Sequence, residues 1–256
     1  METRRRSVLL GIAGALAACA APATGEEAAD GVAETESGTV YQVSTIDALS
    51  CGHFKDTTTI GELLENGGFG LGTVNDLNGE LAVFDDTAYA VRGDGTGVEL
   101  DSSVKTPFAT VTDFQPDKTI ELEDVDSYTE FCERVTQELP RTDHFHALNV
   151  KGTFEYVRTR SVDKQIKPYP TLEEAIENEA VFEFTDIEGD MPTFFIPDQF
   201  EGIHPPNFHS HFITAGRDGG GHVYDLRANS LTVEVDRLGS VEIDLPMRDV
   251  EDYPPC

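Results

Sequence analysis

The chain has 256 residues, 39% of them hydrophobic, and sets 48 Asp plus Glu against 18 Lys plus Arg for a formal charge of −30. That length and apolar content suffice for one large domain or two small ones, while so acidic a surface repels nucleic acid and anionic lipid and argues against both as partners. Only six of the cations are lysines, a composition suited to a high-salt host, because near 1 M salt the Debye length falls to roughly 3 Å and self-repulsion is screened.

From the N-terminus, "METRRRSVLLGIAGALAAC" reads as a targeting segment: a basic start, a short apolar run and small residues before Cys19. Arg5-Arg6 followed by Ser7-Val8-Leu9 fits the twin-arginine export pattern. "LAAC" at 16–19 resembles a lipobox, whose cysteine is lipidated after cleavage, and the apolar run is too short to span a bilayer. Residues 1–18 are therefore expected to be a lipoprotein signal peptide and Cys19 the lipidated first residue of an exported protein. Membrane contact is expected only through that anchor, on the outer face of the cell membrane. Residues 1–18 carry three arginines and one glutamate, so their removal takes the formal charge from −30 to −32. Residues 19–40 are small and acidic without periodicity, and read as a disordered tether. The remaining cysteines, Cys51, Cys132 and Cys256, are far apart with no CxxC. They suggest neither a disulfide framework nor a metal site, although one pair could form outside the cell.

Residues 41–256 show no repeat and no strong linker, and are read as one catalytic domain. "TIGELLEN" (59–66) predicts a short Thr-capped helix stopped by Asn66-Gly67-Gly68. "ELAVFDDTAYAVR" (80–92) predicts two strands joined at Asp85-Asp86, before a turn at "GDGTG". Tyr128, Phe131, Val135 and Leu139 fall on one face of a helix over 126–138. "HFHALNVKGTFEYVRTRSV" (144–162) alternates as a long strand or strand pair, "TLEEAIENE" (171–179) is a short helix, and strands and turns follow from 181. The fold class expected is α+β: mixed and antiparallel sheets with a few short helices, and a metal site on a β-hairpin in the C-terminal half.

That hairpin is "NFHSHFITAGRDGGGHVYDL" (207–226), which holds three of the seven histidines. On a strand, His209 and His211 share one face while Phe208, Ser210 and Phe212 share the other. The glycines allow a tight return that brings His222 opposite them. Three imidazoles with open positions left over form the donor set of a catalytic zinc, and no cysteine stands near to close the shell; spacing alone also allows solvated histidines on a surface hairpin. His144 and His146 form a second HxH, but with no third histidine or Gly-rich return they are read as non-ligating. His53 and His204 are isolated and receive no role.

The stretches 58–95, 106–114, 152–172 and 209–226 together resemble the alpha-acetolactate decarboxylases, and the order and spacing of the segments match. The resemblance implies conversion of 2-acetolactate to acetoin and CO2 at a zinc (Zn2+) held by His209, His211 and His222. It turns Thr73 and Glu80, from the family's "GxGTxNxLxGE" stretch, toward the metal, and places the family's arginine on Arg160; it also implies a homodimer. The chemistry suits those residue types. A β-keto acid loses CO2 when the electrons left behind flow onto a carbonyl, which a Lewis acid promotes. Arg160 would clamp the carboxylate, with Arg158 a rival for that part, Glu80 would handle the proton and Thr73 would contact substrate.

Two departures stand out. The family's C-terminal glutamate has no aligned counterpart in "IDLPMRDVEDYPPC", where Glu251 or Asp252 are the substitutes on offer, and "GDMPTFFIPD" (189–198) differs in a way that would alter pocket walls. Two other readings remain. A cupin-like metal enzyme such as an oxygenase also uses HxH plus a later histidine, though a cupin would carry a Glu shortly after HxH. A non-enzymatic zinc-binding lipoprotein would carry a His-rich acidic loop.

Overall fold

The computed structural model describes residues 38–245. The expected signal peptide, Cys19, most of the tether, Glu251, Asp252 and Cys256 lie outside the described residues. The first strand, β1 (Gly38–Val43), already occupies residues 38–40 with Val40 fully buried.

The remaining elements are α1 (Ile46–Ser50), α2 (Ile60–Leu64), β2 (Phe69–Thr73), β3 (Glu80–Phe84), β4 (Thr87–Val91), β5 (Gly97–Glu99), β6 (Phe108–Thr112) and β7 (Lys118–Val125). Then come α3 (Tyr128–Glu138), β8 (Phe145–Ser161), α4 (Leu172–Ile176), β9 (Ala180–Ile196), β10 (Asn207–Thr214) and β11 (Gly220–Asp244). Local chemistry explains many of them. Thr59 and Glu62 form a reciprocal capping box at α2, and Thr171 with Glu174 does the same at α4. Asp85 and Asp86 both take positive φ (47° and 59°), as a two-residue hairpin turn of matching twist requires. Phe131 and Val135 of α3 are fully buried, as the helical spacing predicted.

The molecule is more β-rich than the α+β expectation: apart from the eleven residues of α3, the α-helices are five residues each. Of these short helices, α2 stops just ahead of Asn66-Gly67-Gly68, and three residues separate the end of α4 from β9. All the strands belong to one mixed sheet ordered β10-β9-β8-β11-β1-β6-β2-β3-β4-β5, with β7 also on β11. Among the described residues β1–β11 is the parallel pairing and the others are antiparallel. β10 pairs with both β9 and β11, which closes β8, β9, β10 and β11 on themselves.

The core has several parts. Phe131, Phe154, Phe212 and Leu226 fill the space between α3 and the long strands, and Leu63, Leu81, Val83 and Val111 fill that beneath α2. Cys51 is disulfide-bonded, while Cys132 is a free thiol.

Strand register sets the site. On neighbouring strands His211 of β10 stands opposite His222 of β11, and His222 stands opposite Arg160 of β8. Thr73 ends β2 directly across from Glu80, which opens β3.

Candidate metal centre and cavity

Three imidazoles meet where β10, β11 and β3 come together. The ring centres of His209, His211 and His222 lie 5.0 Å (209–211), 5.1 Å (209–222) and 5.3 Å (211–222) apart. One nitrogen from each falls within 4.8 Å of the others. His209 and His211 are buried and His222 is half-buried. The alternation read from the sequence explains the placement: Phe212 points the other way into the core, and Ser210 bonds Tyr128 and Thr193 there, each at 2.8 Å.

The protonation pattern suits a cation. Nδ1 of His211 donates to the Leu81 carbonyl at 2.7 Å, which leaves Nε2 as a bare acceptor 3.3 Å from Glu80 Oε2. Two facing lone pairs repel unless a cation or proton stands between them. His211 Nε2, and Nδ1 of both His209 and His222, are buried with no hydrogen-bond partner. Burial, together with the neighbouring imidazoles and Arg160, holds His209 and His222 well below the ordinary histidine pKa. Burial also lowers His211, against the pull of Glu80. All three are thus neutral at ordinary pH, the state in which imidazole binds metal. These residues fit a divalent ion, and nitrogen-rich donors favour zinc or another first-row transition metal over calcium or magnesium.

Arg160 stands beside this cluster between two carboxylates. It donates from Nη1 to Glu80 Oε1, and its Nε lies 3.5 Å from Glu179 Oε2. Glu179 is itself held by the Tyr224 hydroxyl at 2.6 Å. Arg158, the rival, is exposed and lies over the Tyr224 ring. A cavity of about 130 Å³ joins these groups: Thr73, Glu80, Arg160 and the three histidines supply its polar wall, and Ile46, Leu49, Phe108, Val162 and Leu172 much of the apolar remainder. Thr73 donates to the Gly79 carbonyl at 2.9 Å, which fixes its side chain in the cavity wall.

The structure thus gathers Thr73, Glu80, Arg160, His209, His211 and His222 into one cavity and leaves Arg158 out. His144 and His146 stay apart: His144 is half-exposed beside Asp143, and His146 is buried with its Nδ1 3.1 Å from the His144 carbonyl. The stretch 189–198 lies behind the cavity rather than lining it, with Phe194 opposite His209 in the β9–β10 register. Sequence reasoning missed Glu179, brought near by the β8–β9 pairing that sets Arg160 opposite Val181. It also missed His204, whose ring centre lies 5.0 Å from that of His209. Neither residue belongs to a local pattern that would have marked it.

Neutral imidazoles arranged for a metal, with a fixed guanidinium over a small half-apolar cavity, define an enzyme site for a small anionic substrate. The chain belongs to the alpha-acetolactate decarboxylase family, whose members are carboxy-lyases, and matches it over residues 40–254. It is 37% identical over 215 residues to the alpha-acetolactate decarboxylase of Methanosarcina mazei, covering 84% of this chain and 75% of that one. It is 35% identical over 210 residues to that of Brevibacillus brevis, covering 82% and 74%. The crystal structure of the Bacillus subtilis strain 168 enzyme superposes with a TM-score of 0.80 at 33% identity, covering 84% of this chain and 91% of that one. The family match favours neither the oxygenase nor the non-enzymatic lipoprotein reading.

Proposed function

We propose that the protein is a zinc-dependent decarboxylase that converts 2-acetolactate to acetoin and CO2. The observation that carries this reading is the convergence of His209, His211 and His222 beside the Glu80–Arg160 pair in one cavity. His209, His211 and His222 would hold the ion, with the C-terminal-half hairpin as its seat. Zinc bound there supplies a Lewis acid for the carbonyl that receives the electron pair released with CO2.

The chain's own residues account for the rest. Arg160, hydrogen-bonded to Glu80 and 3.5 Å from Glu179, would take the substrate carboxylate and hold the C–CO2 bond across the carbonyl plane for cleavage. Thr73 would contact the substrate from the cavity wall. Glu80, between Arg160 and His211, would take up a proton from water and deliver it to the carbon that loses CO2. The apolar wall from α1 and α4 excludes water, which strengthens each of these contacts.

The test is acetoin formation by the soluble domain in molar salt, before and after chelation. Chelation should abolish acetoin formation and zinc should restore it. Full turnover without metal, or no acetoin from protein holding one zinc per chain, would overturn the proposal. Iron as the metal of the active purified protein would favour the oxygenase reading.

We further propose export and anchoring through Cys19, on the strength of the twin-arginine and "LAAC" stretches. The disulfide at Cys51 supports an oxidising compartment. A Cys19→Ala variant should leave the membrane fraction; one that fractionates as the parent does sinks the anchor.

A further inference from the structure

His204 lies in the connection between β9 and β10, and nothing above gives it a part to play. Its ring is fully buried against Phe108 (centres 5.5 Å apart), Phe194 (6.5 Å) and His209 (5.0 Å, rings inclined by 57°). Nδ1 lies 3.2 Å from the Pro205 carbonyl, which can only accept, so Nδ1 carries the hydrogen. Nε2 is therefore a lone pair, and it is buried without a partner. A buried acceptor left unmet is costly and calls for an explanation.

The adjacent ring has the complementary need. A histidine that binds a metal through one nitrogen presents the other as N–H, and such hydrogens are held by an acceptor that fixes the ring's tautomer and direction. His211 has its acceptor in the Leu81 carbonyl. For His209, no carbonyl or carboxylate near the ring takes up Nδ1, which is buried and unpartnered. The ring centres stand 5.0 Å apart, so a small rotation of either ring would close the nitrogens to the roughly 3 Å of an N–H···N bond, a contact that neither His204 Nε2 nor His209 Nδ1 makes in this structure. His204 is not a fourth ligand, because its nitrogens fall outside the group that converges.

We propose that His204 is a positioning residue for the metal centre: its Nε2 accepts the hydrogen of His209 Nδ1, the nitrogen turned away from the metal. The proposal rests on the reading of His209, His211 and His222 as the metal-holding set. It makes the fixed direction of His209 a property of the loop ahead of β10 as well as of the strand.

Two variants test it. His204→Phe keeps most of the ring volume and removes the acceptor, while His204→Gln returns an acceptor oxygen. The readouts are zinc affinity by competition with a chelator in molar salt, melting of the metal-free forms, and the His209 N–H signal in ¹⁵N spectra of the zinc-loaded parent. His204→Phe should bind zinc roughly 10–100-fold more weakly with metal-free melting no lower than the parent's, and His204→Gln should recover most of the loss. The His209 N–H of the parent should show coupling to a nitrogen acceptor, which settles the matter even if His204→Phe does not fold. Zinc affinity unchanged in His204→Phe overturns the proposal, as does a glutamine variant as weak as the phenylalanine one, or a His209 N–H that exchanges freely with water. Complete loss of zinc in both variants overturns it in favour of a fourth ligand. A parent protein that binds no zinc fails the underlying metal reading instead, and is recognised before either variant is made.

Discussion

Glu80 presents one oxygen to Arg160 and the other to His211, so a single carboxylate touches both the group assigned to the substrate and the group assigned to the metal. Removing its charge and its proton separates two functions that removing the whole side chain would confuse. Glu80→Gln keeps the shape and the oxygen on Arg160 but has no acidic proton to deliver. General acid catalysis is typically worth 10²–10⁴-fold, so turnover to acetoin should fall by about that factor with zinc still bound. Glu251→Gln, in the short C-terminal segment, should change turnover little. Equal losses from the two substitutions, in steady-state assays with metal content measured in parallel, would show that the tail supplies the proton and that the assignment to Glu80 is wrong.

At the scale of elements, the β10–β11 hairpin does most to build the centre, and it rests on backbone that only glycine tolerates. Gly220 and Gly221 have φ of 152° and 130°, and a Cβ on Gly221 would strike the Arg160 carbonyl on β8. Gly221→Ala should therefore push β11 away from β8 just where His222 and Arg160 face each other. A strained or clashing backbone position costs on the order of 1–3 kcal/mol, so the variant should melt several degrees lower and bind zinc more weakly. A variant with parental melting and parental zinc affinity would mean that the hairpin absorbs a side chain there, and that the close approach is not what fixes the register. This hairpin also marks how far the sequence could be read. The shared face of His209 and His211, the capped start of α2, the Asp85-Asp86 turn and the buried face of α3 are all written in spacings of two to four residues. The pairing of His211 with His222 was visible as a possibility because a glycine run implies a return. What spacing could not show was pairing between distant segments: the 25-residue run of β11, its parallel contact with β1, and the β8–β9 register that brings Glu179 to Arg160. His204 sits in a loop with no period at all, so its nearness to His209 comes entirely from tertiary packing. The resemblance to a known family supplied roles for Glu80 and Arg160, which by residue type alone would pass for surface charges.

Across the whole molecule, a formal charge of −30 opposes compaction in dilute buffer, and the melting temperature should rise between dilute buffer and molar salt. A melting curve indifferent to salt would remove the case for a high-salt host. One residue carries this tension inside the fold. Asp236 of β11 is 5% exposed, accepts from the Gln115 backbone at 2.9 Å, and has Asp117 and Asp113 as neighbours. Burial first, and then those two carboxylates, push its pKa up to about 6. The sign follows from the raised value. The protonated form fits the folded state, so its contribution is full below the unfolded aspartate value of about 3.9 and is lost as pH rises toward and through about 6. At pH 8 the folded protein therefore holds a buried charge that it would be more stable without. Asp236→Asn keeps an oxygen for the Gln115 N–H and removes that charge. It should melt higher than the parent at pH 8, by about 2–4 °C for each kcal/mol recovered in a domain of this size, and show no advantage at pH 4. Molar salt should trim the pH 8 difference only in part, because it screens Asp113 and Asp117 but leaves the burial of Asp236 unchanged. An advantage that is the same at pH 4 and pH 8 would mean the substitution acts through packing, and the electrostatic account of Asp236 would fail.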